Sequence, residues 1–362
     1  MDKRIILAAA GSGKTYYIAN DFKNNARVIL ISFTNSNVEN IRKEVRERFN
    51  GIIPKNVQIM TFDKFIYNIL LKPLEPISLF SNKKSMGVDI YSEPESDTRK
   101  PRYIKKKYSG HFFNLENKYF VSRMSKLFLE QSKEYKKIAL DRLQKYCDTI
   151  YFDEFQDYKK EDFKTMKYLI EKAKFNVIAV GDIYQSCLTP IRNKTANPYA
   201  PFDKIKSGND LKDKFIKKVI IDEVSLEKSR RVPMATCDLI QNKMGIDIQP
   251  SLATESKIIT LSGLKDINDV MLNPSITKLI WDKRTSRKQI KNYVNWSYSK
   301  GDTYPEACVI LTENTSNPDE WAKINSVKSR NALYVAITRS EGNLYLVTSS
   351  DYKKWTMSID VL

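Results

Sequence analysis

The sequence contains few of the residues that build many enzyme active sites. It has a single histidine, His111, and four cysteines that lie tens of residues apart without a CxxC pair. These counts argue against a zinc site, an iron–sulfur cluster and Ser-His-Asp or Cys-His catalysis, and they favour reduced core thiols of a cytoplasmic protein. An enzyme of this composition would have to use carboxylates, lysine, arginine and a bound metal.

Long apolar stretches are also lacking. No run of 18 apolar residues occurs, so we expect no transmembrane helix. The apolar run at the N-terminus is too short for a secretory signal and leads into a glycine-containing loop. We therefore expect a protein that is neither exported nor embedded in a membrane.

Acidic residues are outnumbered by basic ones, with 43 Asp and Glu against 61 Lys and Arg and a formal net charge of +18. This excess favours a polyanionic partner such as nucleic acid, although a merely soluble basic surface is the alternative. Residues 99–145 hold 14 basic and 4 acidic residues, more than half of the net charge. We expect this segment to face a polyanion.

The order of apolar segments predicts an α/β fold with largely parallel sheets, and the length of 362 residues predicts two domains. We place the domains at 1–212 and 213–362, with a proline-interrupted insert at about 72–146 in the first and a crossing segment at 189–208. The predicted strands are 4–8, 28–32, 57–60, 149–152, 176–180, 217–221, 257–261, 276–281, 307–312 and 343–347. The predicted helices are 35–49, 115–146, 234–243 and 321–338.

A glycine-containing loop follows the first predicted strand and opens a helix, which is the context of a phosphate-binding loop. In such a loop, Lys14 reaches the β- and γ-phosphates and the Thr15 hydroxyl binds Mg²⁺. The sequence thus predicts ATP and Mg²⁺ as ligands. The predicted nucleotide-binding residues are Ala8, Ala9, Ala10, Gly11, Ser12, Gly13, Lys14 and Thr15.

Two further strands end in polar residues that suit this chemistry. The strand at 149–152 runs into Asp153, a predicted Mg²⁺ ligand, and Glu154, which would orient and deprotonate the attacking water. A solvated acidic turn is the alternative interpretation. One strand later, Gln185 is placed to sense the γ-phosphate.

In this order, the motifs resemble those of the superfamily 1 helicases, nearest to the UvrD/Rep-like branch, over nearly the whole chain. The resemblance rests on AAAGSGKT, SFTN followed by Arg42, TFDKF, DEFQD, GDIYQS, LEKSRRVP, SKGDTYP and YVAITR. It implies two RecA-like P-loop domains that hydrolyse ATP in the cleft between them. It also implies that Arg231 and Arg339 act as arginine fingers and that Gly301 contacts the nucleotide. Arg230 is the alternative to Arg231, and a cation at a helix end is the alternative role for Arg339.

The resemblance also implies a path for single-stranded DNA. Because no aromatic residue directly follows GDIYQS, base stacking would come from another residue, such as Phe62 or Tyr304, or be lost. Lys300 follows Arg231 by only 69 positions, so we predict a compact form without the large accessory domain of UvrD and Rep. The predicted DNA contacts are Phe33, Thr34, Asn35, Thr61, Phe62, Ser299 and Tyr304.

The sequence is thus interpreted as an ATP-dependent single-stranded DNA translocase or helicase, with 3′→5′ polarity favoured. Its expected partners are single-stranded DNA, DNA junctions and other replication, repair or recombination proteins, in the cytoplasm and encoded by a bacterium or phage. Two alternatives stay open. One is an ATP-gated module that binds nucleic acid or recruits partners with little unwinding, and the other is an RNA-dependent ATPase.

Overall fold

A computed structural model describes residues 1–187, 200–215, 219–251, 255–285 and 291–359, apart from the side chains of Thr285 and Ile359. Residues 189–199 of the predicted crossing segment and residues 217 and 218 of the predicted strand 217–221 lie outside the described residues. The chain packs as two compact units. Unit 1 comprises Met1–Leu7, Lys14–Gly181 and Thr189–Asp222, and unit 2 comprises Ala8–Gly13, Asp182–Leu188 and Glu223–Leu362.

The first half of the chain forms a six-stranded sheet whose interior strands are rich in buried Val, Ile and Ala. The strands of this half are β1 (Lys3–Ala8), β2 (Val28–Ser32), β3 (Val57–Thr61), β4 (Val88–Asp89), β5 (Tyr119–Phe120), β6 (Thr149–Asp153), β7 (Asn176–Gly181) and β8 (Ile220–Leu226). The order in the large sheet is β3-β2-β6-β7-β1-β8, and its pairs from β3 through β1 are parallel. Strands this apolar are typical of a sheet that is covered on both faces.

Helices connect these strands. They are α1 (Lys14–Asn20), α2 (Asn35–Arg48), α3 (Phe62–Phe65), α4 (Met124–Glu130), α5 (Lys133–Tyr146), α6 (Lys160–Lys172) and α7 (Gly208–Lys212). Helix α2 begins where the Thr34 hydroxyl accepts the Asn37 N–H at 3.1 Å, a standard N-cap. Its apolar positions Val38, Ile41 and Val45 are buried, as the helical spacing predicted.

The insert differs from its prediction in its second part. The predicted helix 115–146 is instead the short strand β5, a 3₁₀ turn, and the separate helices α4 and α5. The break falls at Gln131 and Ser132. The Ser132 hydroxyl accepts the Tyr135 N–H at 3.0 Å and starts a new helix, while the Gln131 side chain accepts the Leu79 N–H at 2.8 Å. Periodicity across 115–146 concealed this polar break.

The second half forms a five-stranded parallel sheet in the order β11-β15-β14-β12-β13. Its strands are β9 (Lys228–Ser229), β10 (Gln249–Pro250), β11 (Ile258–Leu261), β12 (Thr277–Ile280), β13 (Tyr293–Asn295), β14 (Ala307–Ile310) and β15 (Leu344–Val347). Its helices are α8 (Met234–Met244), α9 (Leu264–Leu272), α10 (Val327–Ile337) and α11 (Ser349–Ile359). The parallel α/β fold class is thereby confirmed.

Two further local expectations are corrected. The predicted helix 321–338 is a 3₁₀ segment, Pro318–Lys323, followed by α10, which starts where the Ser326 hydroxyl accepts the Ser329 N–H. Strand β8 extends further toward the C-terminus than the predicted 217–221.

The interval from Arg231 to Lys300 holds elements of the core fold. Its described residues, which exclude 252–254 and 286–290, form α8, β10, β11, α9, β12 and β13 and contain no additional domain. In the described part of the chain, no helix has the length and apolar character needed to cross a membrane.

Candidate nucleotide and nucleic-acid site

The first part of the phosphate loop, Ala8–Gly13, packs within unit 2. Gly11 has a left-handed φ of +73°, and a Cβ at this position would lie 2.6 Å from Arg231 Cβ and 2.9 Å from Ser229 Oγ. Only glycine fits both the conformation and the space. The Arg230 N–H donates to the Gly11 carbonyl at 3.0 Å, so the segment that carries both arginines is fastened to the loop.

Arg230 and Arg231 both border the loop. The Arg231 guanidinium donates to the Thr303 hydroxyl at 3.3 Å, and the Arg230 guanidinium carbon lies 3.8 Å from the position that a Gly13 Cβ would take. Thr303 lies two residues after Gly301, whose φ is +95°. Either arginine is placed to add positive charge beside the loop, so the choice between them stays open.

Arg339 is buried, and its guanidinium is held by protein acceptors. Its Nε donates to the Val335 carbonyl at 2.8 Å, Nη1 to the Asp302 carbonyl at 3.1 Å and Nη2 to the Thr338 hydroxyl at 2.9 Å. Burial and the nearby charge of Arg231 lower the pKa of Arg339 to about 9, so it stays protonated at neutral pH. These bonds use three of the five guanidinium N–H groups, so an arginine finger would contact a phosphate oxygen through another N–H or by exchanging one of these bonds.

Gln185 is buried, and its side chain is directed at Asp182. Its Nε2 donates to Asp182 Oδ2 at 3.0 Å. The same oxygen accepts the Tyr334 hydroxyl at 3.2 Å, and that hydroxyl accepts the Ala10 N–H at 3.2 Å. Burial and the charge of Asp182 raise the pKa of Tyr334 well above its usual value, so the hydroxyl remains a donor.

Lys14, Thr15 and the acidic pair belong to unit 1. The Lys14 ammonium lies 3.8 Å from Glu154 Oε1. Asp153 ends β6 with 2% of its surface exposed, and the Ser32 hydroxyl donates to its Oδ2 at 2.9 Å. The acidic pair is therefore held at the carboxyl end of a buried strand, β6.

These oxygens fit Mg²⁺ in chemistry. The Thr15 hydroxyl and the Asp153 carboxylate are hard oxygen donors, and Mg²⁺ is commonly held by one or two carboxylates together with substrate phosphates. No group of three or more His, Cys, Asp or Glu suited to a metal occurs among the described residues. The chain's own share of such a site would therefore be Thr15 and Asp153.

Glu154 has an unusual backbone conformation. Its φ of 51° and ψ of 48° are left-handed, a state that costs a non-glycine residue about 1–3 kcal/mol and often occurs at functional sites. The Gln156 amide donates to its carboxylate, and the Lys159 ammonium donates to the Gln156 carbonyl. A Cβ on Gly181 would lie 2.1 Å from Gln156 Oε1, so the end of β7 has to be glycine for this turn to pack.

Unit 1 corrects one of the predicted DNA contacts. Phe62 is 1% exposed and packs edge-on against Tyr158 with ring centroids 4.7 Å apart, so its ring is closed to base stacking. Thr34 and Thr61 cap α2 and α3 with their hydroxyls. Phe33 is half-buried, so of these aromatic rings only Phe33 keeps some exposed surface.

A second predicted DNA contact, in unit 2, is also corrected. Ser299 is fully buried, and its hydroxyl donates to the Trp296 carbonyl at 2.7 Å, so it serves the core and not a bound strand. Tyr304 is half-buried, and its hydroxyl donates to Asp302 Oδ2 at 2.8 Å. Burial and this bond raise the pKa of Tyr304.

A pocket of about 750 Å³ lies at the carboxyl ends of β12 and β14, where ligands of parallel α/β sheets commonly bind. Trp281 lines it with 37% of its surface exposed, and Arg284 lines it too. Trp281 packs edge-on against Trp296 at 5.6 Å and has the Lys328 ammonium 5.7 Å from its ring centre. Sequence reasoning missed Trp281, although an aromatic directly after a strand and before Asp-Lys-Arg was a usable signal.

Some of the basic side chains in residues 99–145 form contacts within the insert itself. Arg99 pairs with Asp97 and Lys106 with Glu130 at 2.9 and 3.0 Å, and Arg123 is buried against His111. Other basic side chains of this segment are exposed and form no ion pair within the described residues. These are Arg102, Lys105, Lys107, Lys133 and Lys137.

The parallel sheets, the glycine-containing loop after β1 and the acidic pair after β6 are the arrangement expected of a P-loop fold. Residues 2–135 match the family described as UvrD/REP helicase N-terminal domain. Over these residues the chain resembles the UvrD/Rep-type superfamily 1 helicases, as the motifs predicted. Asp153, Glu154 and the unit 2 residues lie beyond the matched segment.

Solved structures of arterivirus helicases are similar to this chain. One, "Complex structure of Arterivirus nonstructural protein 10 (helicase) with DNA", is 14% identical with a TM-score of 0.47. The match covers 96% of this chain and 61% of that one. A second structure, "Crystal structure of Arterivirus nonstructural protein 10 (helicase)", is 13% identical with a TM-score of 0.48, and the match covers 95% of this chain and 59% of that one. "The structure of PRRSV helicase" is 12% identical with a TM-score of 0.48, and the match covers 96% of this chain and 52% of that one. The chain thus spans about half to three fifths of the length of these proteins. No curated protein matches it significantly.

Proposed function

We propose that the protein is an ATP-dependent translocase and helicase on single-stranded DNA, moving 3′→5′. The observation that carries the proposal is the strained, left-handed Glu154, which directly follows the buried Asp153 and faces Lys14 at 3.8 Å. A carboxylate held at such cost beside a phosphate-loop lysine suits a group that activates water.

The roles of the residues follow from their chemistry. When ATP binds, the Lys14 ammonium exchanges its contact with Glu154 for contacts with the β- and γ-phosphates. The Glu154 carboxylate can then accept a proton from the attacking water. Thr15 and Asp153 would hold Mg²⁺, which neutralises charge on the phosphates. Gln185 senses the γ-phosphate, and Arg231 or Arg230 together with Arg339 stabilise the charge of the transition state.

The nucleic-acid surface is proposed from exposed aromatic and basic groups. Trp281, at the carboxyl ends of the unit 2 strands, offers a ring on which a base can stack, and Lys328 and Arg284 add positive charge nearby. Exposed Lys105 and Lys107 in the insert would hold phosphates of flanking DNA without reading sequence. Among the residues predicted from the motifs, Phe33, Thr34, Asn35, Thr61 and Tyr304 remain candidates.

The decisive experiment compares ATP hydrolysis without nucleic acid, with single-stranded DNA and with single-stranded RNA. We expect DNA to raise the rate at least about tenfold and Lys14→Ala to abolish it. Strand displacement on duplexes with a 3′ or a 5′ single-stranded tail tests the polarity. Hydrolysis that DNA leaves unchanged would refute the motor, and an unchanged rate in Lys14→Ala would refute the assigned site.

One observation favours the second candidate, an ATP-gated nucleic-acid-binding module with little unwinding. Two of the predicted strand contacts, Phe62 and Ser299, are buried in the core, which leaves fewer groups to grip a strand during movement. DNA-stimulated hydrolysis without strand displacement from either tail would support it. Stimulation by RNA alone would instead identify an RNA-dependent ATPase.

A further inference from the structure

The hydroxyl of Tyr334 joins two parts of the candidate site that lie far apart in sequence. Tyr334 sits in the middle of α10 and is 1% exposed. Its oxygen accepts the N–H of Ala10 in the phosphate loop, and its proton is donated to Asp182, with both bonds 3.2 Å long. Ala10 and Asp182 are themselves buried.

The acceptor of this bond is also the atom that holds Gln185. Asp182 Oδ2 accepts both the Tyr334 hydroxyl and the Gln185 amide, while Oδ1 accepts the Tyr184 N–H at 3.0 Å. A shift of the carboxylate therefore moves Gln185. The Asn331 amide, one helical turn before Tyr334, donates to the carbonyl of Ile183 at 3.2 Å, so α10 holds the backbone of the same turn.

We propose that Tyr334 is a positioning residue for ATP hydrolysis. Its hydroxyl fixes the Ala10 amide and the Asp182 carboxylate in one arrangement, and Asp182 in turn orients Gln185. A phenylalanine fills the same volume but leaves the Ala10 N–H buried without its acceptor and removes one donor from Asp182. The loop and the Gln185 turn would then move independently of each other. The inference rests on the proposed ATPase function.

The first test needs no ATP. Hydrogen exchange of the peptide that contains Ala10, followed by mass spectrometry on the full chain, should be about tenfold faster or more in Tyr334→Phe than in the wild type. Tyr293→Phe is the matched control, because it also removes a buried hydroxyl of unit 2, one that bonds the Tyr352 hydroxyl at 2.9 Å. Unchanged exchange in Tyr334→Phe, or an equal change in Tyr293→Phe, would overturn the inference.

The second test separates positioning from general destabilisation. In Tyr334→Phe we expect kcat for DNA-stimulated hydrolysis to fall about 10- to 100-fold, while the Kd of a fluorescent ATP analogue changes less than about threefold. Asp182→Asn combined with Tyr334→Phe should be no worse than the more damaging single variant, because both act on one bond. If kcat of Tyr334→Phe equals that of the wild type, the positioning role is refuted but the proposed function is not. If the wild type does not hydrolyse ATP, the proposed function itself is refuted.

Discussion

Gly181→Ala tests whether the turn that carries Glu154 depends on close packing against β7. The added Cβ would lie 2.1 Å from Gln156 Oε1 and 2.9 Å from the backbone nitrogen of Phe155, whereas ordinary contacts begin near 3.4 Å. The Gln156 oxygen must therefore retreat by about 1.3 Å and the backbone nitrogen of Phe155 by about 0.5 Å. Overpacking of this kind costs about 1–3 kcal/mol. Because Gln156 also donates to the Glu154 carboxylate, the displaced turn should misplace that carboxylate.

The measurements are thermal unfolding and DNA-stimulated ATP hydrolysis. For a unit of about 200 residues we expect Tm to fall by about 2–12 °C and kcat to fall at least about tenfold. Gly263→Ala is the control, since its Cβ would meet only the end of the flexible Asp266 side chain at 3.2 Å, and it should match the wild type. An unchanged Tm in Gly181→Ala would refute the packing argument. A lowered Tm with wild-type kcat would refute the link from Gln156 to Glu154.

Three further predictions follow from single side chains. Glu154→Gln should keep ATP binding within about threefold of the wild type, as measured by a fluorescent analogue, but lower kcat by about 100-fold or more, because the amide accepts no proton. Trp281→Ala should weaken binding of single-stranded DNA by about 1–3 kcal/mol, as measured by fluorescence anisotropy, whereas a folded Phe62→Leu should bind DNA as the wild type does. Normal binding by Trp281→Ala together with weakened binding by Phe62→Leu would indicate that Phe62 is the stacking ring. Burial and the charge of Arg123 lower the pKa of His111 to about 4 from its usual 6.5, so the unfolded chain binds the extra proton. Urea unfolding should therefore show stability falling by up to about 2–3 kcal/mol as pH drops from 6.5 to 4, a slope that His111→Gln should reduce.

The sequence alone predicted the parts of the candidate site that are local in the chain. The loop Ala8–Thr15 and the pair Asp153–Glu154 could be proposed because a strand and the residues that follow it are encoded within about ten positions. Buried parallel strands are also visible as continuous apolar runs, so the fold class could be predicted. The helix break at Gln131 was missed because periodicity continues across it, although its serine cap is a local signal.

Only the tertiary structure decided which side chains are available to a ligand. Phe62 and Ser299 sit in motifs that suggest strand contacts, yet both are buried, while Trp281 outside those motifs is exposed. Periodicity indicates that a face is covered but not what covers it, so exposure could not be deduced from the chain. The hydrogen bond from Ala10 to Tyr334 joins residues 324 positions apart, and it exists only because the order of strands and helices brings them together.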